Sequence, residues 1–275
     1  MTLIEVILNG VDNVEQLRTG GQRSAYAASH SEYGDVVIKY CRYKSDTSLE
    51  RMIREANYLS AARIPGIPLL FDFISDSTKR ECVSIEQRIP GQELSECKSR
   101  FRSEEDILRL LRRVVTTMSH VWRDGVVHRD LKPSNIIIAE NDEPYVVDFG
   151  IARFLNEADL TKTIFSSGPA THLYAAPEQL TNDRRRIDHR TDCFALGIVG
   201  LELMLQQHPF SSHLVGGGSI PENIVQGKVY TPVTTDCSEG FARVMLTLVG
   251  HQQYQRYRTA TDVLNAIDSV LGEVK

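Results

Sequence analysis

Apolar and polar positions divide the chain into two stretches of different period. In the first third, short apolar runs at Ile4–Leu8, Ala25–Ala28, Val36–Tyr40, Leu69–Phe73 and Cys82–Ile85 alternate with Gly, Asp, Asn and Ser, and predict strands. One helix interrupts them, because Leu49, Met52, Ile53, Ala56 and Leu59 recur at helical spacing and Ile64-Pro65-Gly66 closes the segment. Beyond residue 100 the pattern is mostly helical. Ser103-Glu104-Glu105-Asp106 resembles a capping box before the stripe Ile107, Leu110, Leu111, Val114, Met118, Val121, and Gly125 is placed to end that helix. Two β-branched runs follow, Ile136–Ile138 and Val146–Val147, with Asn141-Asp142-Glu143-Pro144 as the turn between them. Further apolar helices are predicted over Phe194–Leu205 and Thr259–Leu271. The pattern predicts an α+β chain in which a small β-rich lobe joins a larger α-rich lobe near Gly91.

Composition changes this picture little. At 275 residues, with 41% hydrophobic and 24% charged positions, the chain suits one large domain or two closely packed lobes. A formal charge of −5 argues against bulk attraction to nucleic acid or anionic lipid. The local run Arg184-Arg185-Arg186 with Arg190 reads first as a solvated face. Five scattered cysteines (Cys41, Cys82, Cys97, Cys193, Cys237), with no Cys-x-x-Cys, predict packing residues in a reducing cytosol. No signal peptide is expected at Met1-Thr2-Leu3-Ile4-Glu5, and no apolar run approaches the roughly 18 residues of a membrane span.

The chemistry concentrates in His128-Arg129-Asp130-Leu131-Lys132-Pro133-Ser134-Asn135, a loop that presents an Asp, a Lys and an Asn from one turn, and in Asp148-Phe149-Gly150 behind the second β-branched run. Phosphoryl transfer needs a group that accepts the hydroxyl proton, positive charge on the phosphate and oxygen ligands for Mg²⁺. Asp130, Lys132 and the pair Asn135/Asp148 suit these needs in turn.

With Ala176-Pro177-Glu178 downstream, these motifs resemble the signature set of the eukaryotic-type serine/threonine protein kinase family, including its bacterial members. The resemblance covers roughly residues 14 to 270. It implies a bilobal kinase fold, with an N-lobe over 1–88 and a C-lobe over 89–275. The implied activity uses ATP and Mg²⁺ to phosphorylate Ser/Thr hydroxyls of proteins. By the same resemblance, Lys39 in Val36-Val37-Ile38-Lys39 holds the ATP phosphates, and Glu55 pairs with it, Glu50 being the competitor on the same helix. Asp130 and Lys132 are catalytic, and Asn135 and Asp148 ligate Mg²⁺. Thr171 marks serine/threonine specificity, Asp192 braces the catalytic loop, and Arg256, or alternatively Arg258, pairs with Glu178. Arg129 is expected to receive a phosphate from the activation segment, where Thr161 and Thr163 resemble autophosphorylated threonines and imply a transient homodimer acting in trans. A cytoplasmic enzyme without membrane or nucleic-acid partners is expected.

Three departures stand out. The family's Gly-x-Gly-x-x-Gly-x-Val falls on Arg18-Thr19-Gly20-Gly21-Gln22-Arg23-Ser24-Ala25, so only Gly20 is in register, with Gly21 beside it. Either the lid is stiff and binds nucleotide weakly, or Arg23 contacts a phosphate. Ala170 stands where the family usually has Gly. The gate of the adenine pocket is either Ile85 or Glu86, and a charged gate needs a partner when buried. A pseudokinase and a small-molecule phosphotransferase are the competing functional classes.

Overall fold

The computed structural model describes residues 1–20, 23–149 and 172–273, and among residues 18–20, 23, 51 and 273 the backbone alone. The chain divides into two compact units, one formed by Met1–Pro90 with Phe149, the other by Gly91–Asp148 with the described residues from 172 onward.

The first unit begins with helix α1 (Leu3–Leu8), followed by β1 (Asp12–Gly20), β2 (Arg23–His30), β3 (Gly34–Arg42), α2 (Asp46–Ala62), β4 (Leu70–Asp76) and β5 (Glu81–Gln87). The strands form one antiparallel sheet in the order β1-β2-β3-β5-β4. Its two faces carry separate cores. On one, Ala28, Val36, Ile38, Val83 and Ile85 pack with Ile4 of α1. On the other, Cys41, Cys82 and Leu70 pack with Met52 and Ala56 of α2. Alternation of side chains along a strand makes this division automatic.

The Ile4–Leu8 run is helical, against the strand expectation. Thr2 and Glu5 form a reciprocal capping box, with Glu5 Oε2 accepting from Thr2 N at 2.7 Å. A helical period also puts Leu3, Ile4, Ile7 and Leu8 against the sheet while Val6 stays exposed. Buried Glu81 ties the helix down, accepting from Leu3 N at 2.8 Å, Tyr40 Oη at 2.9 Å and Arg42 Nη2 at 3.0 Å. Burial would raise its carboxyl, but these donors outweigh it and leave Glu81 below its ordinary value. Ile53, counted in the apolar stripe of α2, is exposed. Strand β1 has no apolar alternation to announce it, since Val14 and Leu17 both face solvent.

The second unit opens with β6 (Gly91–Glu93) and α3 (Glu104–Arg123), then the hairpin β7 (Ile136–Ala139) and β8 (Pro144–Val146). It continues with α4 (Pro177–Leu180), α5 (His189–Leu205), α6 (Ser212–Val215), α7 (Ile220–Val225), α8 (Glu239–Leu248) and α9 (Ala260–Glu273). A small sheet runs β6-β7-β8, so Pro144 belongs to a strand rather than to the turn. A side chain at Gly91 would put its Cβ 2.3 Å from Ile138 O, so glycine lets β6 lie against β7. Ser103 caps α3 by accepting from Asp106 N at 3.1 Å, and Gly125, at φ +76°, follows its end. Helix α5 is apolar nearly all round and buried, packed between α3 and α8, while α9 lies on α3 and α8. All five cysteines are buried thiols. No helix among the described residues is long and apolar enough to cross a membrane.

Candidate active site

In the second unit the loop from His128 to Asn135 runs between α3 and β7 and is fixed mainly by its backbone. Asp192, on α5 and 1% exposed, accepts three N–H donors: Trp122 Nε1 and His128 N on Oδ2, and Arg129 N on Oδ1, each at 2.8 Å. Burial pushes the Asp192 carboxyl up, and the donors oppose it. This bracing holds Arg129 in the left-handed region at φ +65°, which is costly for a residue with a Cβ. His128 is buried with a defined tautomer. Its Nδ1 accepts from Asp130 N at 3.2 Å, which leaves the proton on Nε2 to be donated to Val147 O at 2.9 Å.

Within this frame Lys132 Nζ lies 3.2 Å from Asp130 Oδ2. Asn135 donates from Nδ2 to Asp130 O at 2.8 Å, while its buried Oδ1 has no hydrogen-bond donor among the described residues. A buried carbonyl oxygen left open this way costs free energy unless a ligand or cation takes it up, and an amide oxygen suits Mg²⁺. Val147 N donates to Asn135 O at 3.0 Å, which brings Asn135 and Asp148 to the same end of the hairpin. Asp148 leaves β8 with φ +60°.

Glu178, at the start of α4, receives a bidentate pair from Arg256 at 2.7 and 3.0 Å, with both side chains almost wholly buried. Arg256 donates further to Gly250 O and Arg190 O, and its guanidinium stacks over Phe194. Of the two arginines weighed, Arg256 holds Glu178 and Arg258 is exposed. Two supports escaped the sequence reading. Gln179 donates from Nε2 to Arg129 O at 2.9 Å and accepts Ala176 N at 3.0 Å, joining α4 to the catalytic loop. Glu202 takes Tyr174 Oη at 2.5 Å and Lys98 Nζ at 2.8 Å, anchoring the segment before Ala176-Pro177-Glu178. No local pattern signals the links to Arg129, Tyr174 or Lys98, since those partners are distant in sequence. In the arginine run, Asp183 pairs with Arg185 and Arg186, and Asp188 with Arg190, as a solvated face would.

In the first unit, Lys39 lies on β3 and Glu55 half-buried on α2, with Glu50 exposed. Glu86 of β5 is an ion-pair partner of Lys39 at 2.5 Å, which the sequence reading missed. The register turns Ile85 and Glu86 to opposite faces of the sheet. Ile85 belongs to the core under α1, whereas Glu86 points to the face that carries Lys39. Gly20 ends β1, paired with Arg23 at the start of β2. Gly21, Thr161, Thr163 and Thr171 lie outside the described residues, as do the side chains of Arg18 and Arg23.

This combination of a β-rich unit, a helical unit and a braced His-Arg-Asp loop defines a protein kinase fold. The protein kinase domain family matches residues 11–266, and the chain belongs to it. The family characteristically uses ATP and Mg²⁺. The chain is 28% identical over 93% of its length to a probable serine/threonine-protein kinase of Streptomyces coelicolor, covering 39% of that protein. It is 26% identical over 94% of its length to the serine/threonine-protein kinase PknH of Mycobacterium tuberculosis, covering 41%. It is also 27% identical over 72% of its length to a probable serine/threonine-protein kinase, PknB, of Lactococcus lactis, covering 32%. The chain thus spans about two fifths or less of the length of these relatives.

Proposed function

We propose that this chain is an active serine/threonine protein kinase that transfers the γ-phosphoryl group of ATP to protein hydroxyls. The observation that carries the reading is the Asp130–Lys132–Asn135 arrangement, with its open, buried Asn135 Oδ1. Asp130 takes the proton of the acceptor hydroxyl as its oxygen bonds to phosphorus and the bond to the ADP oxygen breaks. Lys132 places positive charge beside that transfer and orients the Asp130 carboxylate. Asn135 Oδ1 and the Asp148 carboxylate would hold Mg²⁺, which when bound neutralises developing phosphate charge. Lys39 binds the α- and β-phosphates, with Glu55 as the helix carboxylate assigned to it and Gly20-Gly21 covering the phosphates. Thr171, with Lys132, marks the Ser/Thr acceptor, and Glu178, Asp192 and Arg256 hold the frame.

Protein substrates carrying Ser or Thr, self-activation in trans at Thr161 or Thr163, and residence in a reducing cytoplasm complete the proposal. The competing reading, a nucleotide-binding or scaffolding module without turnover, draws on the irregular glycine segment.

One assay separates them. Radiolabelled ATP with a generic protein substrate should label wild type's substrate, and Asp130→Asn should lower the rate by about 10²–10⁴-fold at unchanged unfolding temperature. Mass spectrometry of the same reaction should find phosphate on Thr161 or Thr163. Transfer equal in the two proteins would sink the catalytic role of Asp130, and no transfer by wild type would favour the scaffold.

A further inference from the structure

Lys39 has a role in the proposed transfer, and its ion-pair partner Glu86 has none. In the sheet of the first unit, Lys39 is paired with Ser84, and Glu86 stands two residues further along β5, opposite Val37. Residues two apart on a strand share a face, so Lys39, Ser84 and Glu86 project together, on the side that carries Cys41 and Cys82. The carboxylate is held at both oxygens: Oε2 is 2.5 Å from Lys39 Nζ, and Oε1 accepts Ser84 Oγ at 2.8 Å. The side chains of Lys39 and Glu86 are 25% and 15% exposed, so water screens the pair only in part. The acid is therefore built into the sheet beside the lysine assigned to the α- and β-phosphates of ATP.

We propose that Glu86 sets the nucleotide affinity of this chain by competing with phosphate for the ammonium of Lys39. The proposal rests on the reading of Lys39 as the phosphate-binding lysine. A polyphosphate that approaches Lys39 meets a neutral pair in place of a net positive charge. It must share the ammonium with a carboxylate of its own sign. An ammonium has three donors, so sharing is feasible, but the carboxylate's repulsion remains. The cost grows with the charge on the ligand, which makes Glu86 act on phosphates and not on the base. Glu86 is thus a positioning residue whose charge weakens affinity while its geometry keeps Lys39 in place.

The test uses the full chain and three ligands: ATP, ADP and adenosine, each titrated calorimetrically with Mg²⁺ present. Glu86→Gln, which removes the charge and keeps the shape, should tighten ATP binding about three- to tenfold, ADP less, and adenosine not at all. The ATP gain should shrink in high salt and vanish in a Lys39→Ala background. In the kinase assay the same variant should lower KM for ATP and leave kcat less affected. Glu86→Leu, equally neutral, provides a second route to the same sign if the glutamine variant folds poorly. Unchanged or weaker ATP binding by a folded neutral variant overturns the proposal, as does an equal gain for adenosine. Wild type that binds ATP while the variants match it sinks this inference alone. Wild type that binds no ATP overturns it together with the functional reading.

Discussion

The two units hold their chemical side chains by opposite means. In the second, the loop around Asp130 is pinned by its backbone. Asp192 gathers three N–H donors, His128 uses both ring nitrogens, and Gln179 takes the Arg129 carbonyl. Each of these bonds is buried or partly buried, and none uses the side chains of Asp130 or Lys132, which touch each other at 3.2 Å. In the first, Lys39 is engaged through its own charged group, by a carboxylate on the next strand, where solvent still reaches both. Bonds to the backbone fix geometry and leave the functional group available. A bond to the functional group fixes it by occupying it. The second unit is built as a preorganised frame, the first as an exchangeable contact.

The sharpest way to break this contrast is at the buried pair that underpins the frame. Arg256→Ala leaves Glu178 charged and buried without its guanidinium, and should cost about 3–5 kcal/mol of stability in denaturant titrations. A loss below about 1 kcal/mol would mean that the frame does not depend on buried polar bonds.

A pH-dependent loss should follow at His208. Burial lowers its pKa, opposed by Glu202 and a hydrogen bond to Leu173 O, with Lys98 adding to the lowering. The folded ring is held neutral, since Nδ1 accepts from Phe210 N. With its folded pKa below the unfolded value of about 6.5, the unfolded chain binds the proton more readily. The contribution is therefore full above that value and is lost as pH falls towards the folded pKa. The unfolding temperature of wild type should drop over this acid range, and His208→Gln should flatten the slope. An unchanged slope would show that His208 titrates normally.

The smallest effect belongs to the first unit. Glu86→Gln should change stability by less than about 1 kcal/mol in the same titrations, because a partly exposed ion pair adds little to folding. A loss as large as that of Arg256→Ala would place Glu86 among the buried supports and erase the distinction between the units.

Much of the fold was legible in the chain because it rests on local signals. The stripe of α3 from Ile107 to Val121, the Ser103 cap and the β-branched runs of the hairpin each lie within a few turns of sequence. The errors also have local causes. Ile4–Leu8 is too short for its apolar content to separate helix from strand, and the Thr2–Glu5 cap decided it. Strand β1 escaped because both of its large apolar side chains face water, so no alternation marks it.

The sequence by itself determined the residues of the catalytic loop, since Asp130, Lys132 and Asn135 sit in one turn and their order carries the family pattern. Tertiary structure decided the rest. It chose Arg256 over Arg258 for Glu178, turned Glu86 and Ile85 to opposite faces of the sheet, and set Glu86 against Lys39. These outcomes depend on strand register and on contacts between residues far apart in the chain. No local pattern encodes them, because a shift of one residue in register exchanges every side chain between the two faces.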